Sequence, residues 1–345
     1  MKTKTPLAGL NSEELLELLA PLGFKQYQIR QLMSWIYQRN AAGFDVMTDI
    51  SKELRSKLES GFQVHGLTVI RRAGSSDGTV KLLLEAGDDQ RIESVLIPGE
   101  GRLTACLSSQ AGCKLKCAFC ATGRMGFSRN LTSFEIVDQL CLLQNLSPEQ
   151  RITNVVFMGM GEPLQNYEQV LKAARLINSH LGFNLGARHI TISTAGLVPG
   201  ILKLAGEPEQ FKLAVSLNAP NDQVRSRLMP VNKKYPLKEL MEAAGRYASQ
   251  KGKLVFFEYI LLSGVNDSLA DADSLARLIK HVPGKVNLIP YNPGKKDDPF
   301  RPSSPSVRHA FFDRLHKLGV RATIRLSKGG DIQAACGQLK AAESL

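Results

Sequence analysis

Cys113, Cys117 and Cys120 stand in a C-x3-C-x2-C arrangement inside the stretch 106–130, CLSSQAGCKLKCAFCATGRMGFSRN. Thiolate sulfur is a soft donor, so three of them this close point to a metal centre. A structural zinc site closes with four protein ligands, and no fourth Cys or His follows at finger or ribbon spacing; the nearest downstream histidine is His180. Three thiolates on a four-iron cluster leave one iron open to chelate a small molecule, unlike the all-cysteine ligation of electron-carrying ferredoxins. Two other readings stay open. The cysteines could be buried small hydrophobes, or a distant residue could complete a zinc site.

The elements that must hold this loop follow from periodicity. Residues 11–62 predict a small helical bundle: Asn11 with Glu14 forms a cap, and Leu15, Leu18, Leu19, then Ile29, Leu32, Met33, Ile36, then Ile50, Leu54, Leu58 repeat at helical spacing. Runs at 67–71, 79–84, 91–97 and 103–108, punctuated by glycine turns, predict a small antiparallel sheet that brings Glu93 and Cys106 together. Beyond the loop, strands at 154–158, 189–194, 212–217, 254–260, 285–290 and 321–326 alternate with helices at 167–178, 237–249, 268–280 and 306–318. Such alternation means right-handed crossovers and a parallel sheet. About six units is short of an eightfold closure, so the α/β fold is a partial, open β/α barrel with its site at the C-terminal ends of the strands. The domains are a helical accessory domain at 1–64, a β-rich connecting segment at 65–105, and the partial barrel at 106–345.

With 345 residues and 43% hydrophobic composition, the chain can bury a large core. It shows no apolar run long enough to span a bilayer and no signal-peptide core, which excludes membrane function and predicts a cytoplasmic protein. Six cysteines in such a chain read as metal or redox chemistry. The net charge of +12 is uneven: 101–130 holds five basic residues and no acidic one, and 275–345 holds thirteen against five. A positive field around a reaction centre suits a polyanion such as RNA. A generally basic surface is the plainer explanation of the same counts.

These residues resemble the radical S-adenosylmethionine (SAM) enzymes, and among them the RlmN/Cfr family of RNA adenine methyltransferases. The similarity recurs in MGMGEP from Met158 to Pro163, in Ile192-Ser193-Thr194, in LIPYNP from Leu288 to Pro293, and in DIQAACGQL from Asp331 to Leu339. The resemblance implies a partial barrel of the radical SAM type with one [4Fe-4S] cluster on Cys113, Cys117 and Cys120. It implies SAM contacts from Gly161, Glu162, Ser193, Asn292 and the triplet Ser216-Leu217-Asn218, where the family commonly has Ser-Leu-His.

An adenine ring carbon at C2 is electron-poor, so polar attack on a SAM methyl should fail, whereas a thiolate accepts a methyl readily. The resemblance implies that Cys336 takes the methyl from one SAM, and that a second SAM, cleaved at the cluster, yields the radical that activates it for addition to the adenine. Glu93 then serves as proton acceptor, and Cys106 as the thiol that forms a transient disulfide with Cys336 and frees the product. Cys141 matches no functional cysteine. The implied substrates are an adenine of 23S rRNA and one beside the anticodon of tRNA, flipped into the pocket. An external, flavodoxin-like electron donor and a monomeric enzyme are also implied.

Pro163 and Pro290 favour the C2-methylating branch over C8, while the segment 325–331, RLSKGGD, departs from the usual pattern of that branch. C8 methylation of the same adenine is the closest competitor. A SAM-dependent activase would not need Glu93, Cys106 or Cys336, and a metal-stabilised RNA-binding module would not cleave SAM.

Overall fold

A computed structural model of the chain describes residues 4–294 and 298–341. The extreme ends of the first and last domains expected from sequence, and the middle of the polar loop expected at 293–305, lie outside the described residues.

Ten strands form one sheet, paired in the order of the chain. They are β1 (Thr68–Gly74), β2 (Val80–Glu85), β3 (Arg91–Gly99), β4 (Arg102–Cys106), β5 (Asn154–Phe157), β6 (Ile190–Thr194), β7 (Lys212–Ser216), β8 (Val255–Leu261), β9 (Gly284–Pro290) and β10 (Ala322–Ile324). Strands β1 to β4 are an antiparallel meander, and β4 to β10 run parallel. Helices such as Ser133–Gln144, Tyr167–Asn178, Leu237–Lys251, Leu269–Ile279 and Pro305–Lys317 make the crossovers. Both outer edges of the sheet, β1 and β10, remain unjoined, giving the open α/β barrel expected from the alternation. The β-rich segment is not a separate small sheet. Its last strand, β4, pairs with β5 in register from Thr104↔Asn154 to Cys106↔Val156 and so opens the parallel run.

Along each parallel strand, alternate residues face the helices. Val215, Phe257, Tyr259, Val286 and Leu288 pack into the main core with the helices, which leaves Ser216, Glu258 and Asn287 turned toward the barrel interior. Sequence reading missed the helix Val198–Gly206, whose Pro199 and Gly200 suppress a helical reading, although proline is tolerated in a first turn.

The helical module at the N-terminus starts on the capping box of Asn11 and Glu14. It docks on the helix Ser133–Gln144 without space between: a Cβ on Gly9 would lie 2.3 Å from the Phe134 Cα, and one on Gly66 would lie 2.4 Å from the Phe134 ring. Asp138, fully buried on that helix, accepts from the amides of Gly66 at 2.9 Å and Leu67 at 2.8 Å and bonds His65 Nδ1 at 2.6 Å. One apolar core therefore runs from Leu7 to Leu339.

Candidate active site

The cysteine loop is fixed at its base by a two-stranded ribbon of Gln110–Gly112 and Phe127–Asn130. Gly112 has φ +81, and a Cβ there would lie 2.1 Å from the Gly126 carbonyl oxygen, so the ribbon requires glycine. The Cys113 amide donates to Gly126 at 2.7 Å, Cys120 to Cys117 at 3.1 Å, and Ala118 to Leu228 at 2.9 Å. Beneath the loop lies a second apolar cluster of Phe119, Leu228, Met229, Ile260, Ile289 and Tyr291, against which Cys117 and Cys120 pack. This cluster sits at the C-terminal ends of β8 and β9, where barrel sites form.

The donor set fits a cluster better than a single ion. A tetrahedral zinc holds its sulfurs about 3.8 Å apart, from Zn–S bonds of about 2.3 Å. Among the described residues, the one His/Cys/Asp/Glu group with all ligand atoms within 4.8 Å is His65, Asp138 and Cys141, not the loop cysteines. Asp138 in that group already serves the backbone of Gly66 and Leu67. Burial pushes the Cys113 thiol up to about 12 and Cys117 well above its ordinary value. These thiols are therefore protonated until a metal displaces the proton.

The C-terminal segment closes over the loop. The Ala121 amide donates to the Gly337 carbonyl at 2.8 Å, and Thr122 Oγ1 donates to the Leu339 carbonyl at 2.6 Å. Gln338 Nε2 donates to the Pro293 carbonyl at 2.9 Å. On the other side the turn before β2 holds the same segment, Asp77 Oδ2 accepting from the Gly329 amide at 2.9 Å. Cys336 is exposed. Its electrostatic neighbours Arg325, Glu258 and Cys120 place it at the barrel mouth, where surrounding protein raises its thiol pKa and Arg325 opposes the rise.

Glu93 and Cys106 come from adjacent strands, with Val95 opposite Cys106. Glu93 is buried and pairs with Lys81 Nζ at 2.9 Å. Burial, followed by the negative charge that a Cys336 thiolate would carry, pushes the Cys106 thiol up to about 12. All six cysteines are free, so the Cys106–Cys336 disulfide, expected as a transient step, is not a standing bond of the fold.

The residues expected to contact SAM line the C-terminal ends of β5 to β9. Gly161 has φ +100, and a Cβ there would lie 2.6 Å from Gln110 Cβ. Glu162 is buried, its carboxylate accepting from Leu164 N at 3.1 Å and Ala195 N at 2.7 Å; burial raises its pKa to about 7. Ser193 and Ser216 are half-buried. Leu217 is fully buried, and Asn218, at φ +56, turns its Oδ1 inward to accept from Ile260 N at 2.9 Å. Asn292 Nδ2 donates to the Pro290 carbonyl at 3.1 Å.

Sequence reading missed Arg225. Fully buried, it donates to the carbonyls of Leu217 at 3.1 Å, Ser216 at 3.2 Å and Ala195 at 2.6 Å, tying the ends of β6 and β7 together. Burial depresses its pKa to about 10. Its helix Asp222–Leu228, DQVRSRL, reads as a solvated surface helix, so no local signal marked it.

The open barrel and the three-cysteine loop define a radical SAM enzyme, and the model of the Radical SAM superfamily matches residues 107–279. The model described as "Ribosomal RNA large subunit methyltransferase N-terminal domain" matches residues 5–64. A "Probable dual-specificity RNA methyltransferase RlmN" of Moorella thermoacetica is 45% identical over 99% of this chain and 98% of that relative. The "Dual-specificity RNA methyltransferase RlmN" of Pseudomonas fluorescens is 42% identical over 97% of this chain and 90% of its own length. The crystal structure of a radical SAM methyltransferase from Sphaerobacter thermophilus superposes with a TM-score of 0.95 at 46% identity, covering 98% of this chain and 100% of that one. The chain belongs to the RlmN family of radical SAM RNA methyltransferases and is an RNA methyltransferase.

Proposed function

We propose that this enzyme methylates C2 of an adenine in 23S rRNA and of the anticodon-adjacent adenine in tRNA, by way of a methyl group carried on Cys336. The observation that carries this reading is the position of the Cys336 segment, bonded through Gly337 and Leu339 to the cysteine loop and through Lys340 to Glu93. The relatives' printed name, dual-specificity RNA methyltransferase, supports two RNA substrates.

Cys113, Cys117 and Cys120 would hold a [4Fe-4S] cluster, which supplies reductive cleavage of SAM to a carbon radical when bound. Gly161, Glu162, Ser193, Ser216, Leu217, Asn218 and Asn292 position SAM across the strand ends. Backbone approach at Gly161 and the side chains of Ser193 and Ser216 do most of this work, since Asn218 is committed to Ile260. Cys336 Sγ loses its proton and bonds the methyl carbon as the sulfonium–methyl bond breaks. Glu93 accepts the proton released from the adenine adduct, its carboxylate held in place by Lys81 Nζ at 2.9 Å. The Cys106 thiolate then attacks the Cys336 sulfur, and the bond from that sulfur to the adenine-bound carbon breaks. The freed carbon takes a proton to become the product methyl group, and cellular thiols reduce the transient disulfide left behind. An external flavodoxin-like donor supplies the electron, and the enzyme works as a monomer in the cytoplasm, where its RNA substrates are.

The test is nucleoside mass spectrometry of 23S rRNA and tRNA after anaerobic reaction with the reconstituted enzyme. C2-methyladenine formed by the wild type and absent with Cys336→Ala is the expected result. C8-methyladenine would overturn the regiochemistry, and methylation by Cys336→Ala would overturn the carrier role.

A further inference from the structure

Register sets Ser216, Glu258, Asn287 and Thr323 side by side on β7, β8, β9 and β10. In-register neighbours in a parallel sheet project to one face, here the barrel interior. Such interiors are normally filled by branched apolar side chains, and a polar layer there is unfavourable unless its hydrogen bonds are made. Most of them are made. Thr323 Oγ1 donates to Asn287 Oδ1 at 2.8 Å, and Asn287 Nδ2 donates to Glu258 Oε1 at 2.8 Å.

The exception is Glu258 Oε2. Glu258 is 5% exposed, and this oxygen is buried without a hydrogen-bond partner. Arg325 Nη1 lies 3.6 Å away, beyond hydrogen-bond reach, and its guanidinium is half exposed. Burial raises the Glu258 pKa and Arg325 lowers it. Arg325 thus pairs with the carboxylate at long range without satisfying it, and a buried acceptor left without a hydrogen bond calls for a donor from outside the fold.

The ligand must present an N–H or O–H donor next to an acceptor, between the SAM side at Ser216 and the thiol side at Cys336. Adenine does so on its Hoogsteen edge, with the N6 amino group beside N7, where guanine sets two acceptors, O6 and N7, side by side. We propose that Glu258, with Arg325, recognises the amino group and adjacent ring nitrogen of the flipped target adenine, and so sets the base specificity of this methyltransferase. The inference rests on the proposed reading that an RNA adenine is the substrate. SAM carries an adenine too, so the test separates the two sources.

The experiment measures equilibrium binding of a 23S rRNA fragment carrying adenosine at the target position and of the same fragment carrying purine riboside, which lacks the amino group. Wild type, Glu258→Gln and Glu258→Leu are compared, with SAM affinity measured on each. The wild type should prefer adenosine by about tenfold or more. Glu258→Leu should bring that ratio toward unity, and Glu258→Gln, whose amide oxygen still accepts, should keep part of it, with SAM affinity unchanged throughout. The ratio comes from one preparation, so a lost folded fraction cancels. Equal binding of the two RNAs by wild type overturns the proposal. So does a preference surviving in Glu258→Leu, or weakened SAM binding with the preference intact. Failure of the wild type to methylate the adenosine fragment would instead overturn the underlying reading.

Discussion

Lys340 donates its backbone amide to Glu93 Oε2 at 2.9 Å, while Glu93 Oε1 holds the Lys81 ammonium at 2.9 Å. The acid offered as proton acceptor is thus also the anchor for the segment that presents Cys336. Lys81 reaches the same segment through the Gln333 carbonyl at 3.2 Å. A change at Glu93 should therefore disturb both the proton transfer and the placement of the thiol.

Cys106→Ala should let the reaction start and prevent its release. An RNA-linked form of the protein is expected on a denaturing gel, sensitive to ribonuclease. Glu93→Gln should lower turnover by about a hundredfold or more. Absence of any linked species from Cys106→Ala would remove its resolving role.

Alanine at Cys113, Cys117 or Cys120 should abolish iron and sulfide retention after anaerobic reconstitution. Cys141→Ala should retain both. That side chain is fully buried in the main core, and its loss should cost about 1 kcal/mol through the small void it leaves. Iron content and a thermal melt separate the two classes of variant.

Asp77→Ala should free the Gly329 amide and speed protease cleavage near residues 326–331. The pH dependence has a definite sign. Burial opposes ionisation of Asp77, but hydrogen bonds from Thr79 and Gly329 outweigh it and hold the pKa at about 2 against an ordinary 3.8. The tether is therefore complete above about pH 4 and is lost as pH falls through 2. Cleavage should accelerate over that window in wild type and not in Asp77→Ala.

Gly161→Ala places a Cβ against Gln110 and forces φ +100 on an L residue. A loss of about 1 to 3 kcal/mol is expected in a denaturant melt, together with weaker SAM binding by calorimetry. A Gly206→Ala control, with nothing within 4 Å of its added Cβ, should melt like wild type.

The cysteine spacing and the strand–helix alternation were legible because each is local: metal ligands need short spacings, and buried strands need apolar runs. The helices at Tyr167–Asn178 and Leu237–Lys251 start where the sequence places them. The polar row was not legible, because VFFEYIL reads as one apolar strand with a single acid. Only register brings Glu258 beside Ser216 and Asn287. The union of the meander with the barrel was hidden for the same reason, since the β4–β5 pairing joins residues about fifty positions apart and leaves no local pattern.

The sheet adds its strands in the order in which they are synthesised. Each strand leaving the ribosome finds its neighbour already exposed, so the barrel can assemble from the N-terminus as translation proceeds. Cys113, Cys117 and Cys120 are synthesised more than two hundred residues ahead of Cys336. A nascent chain can therefore expose its three-cysteine loop long before it contains the segment around Cys336 that bonds to that loop. Docking of the Cys336 segment is thus a late step in assembly, directed by strands and a loop that are already in place.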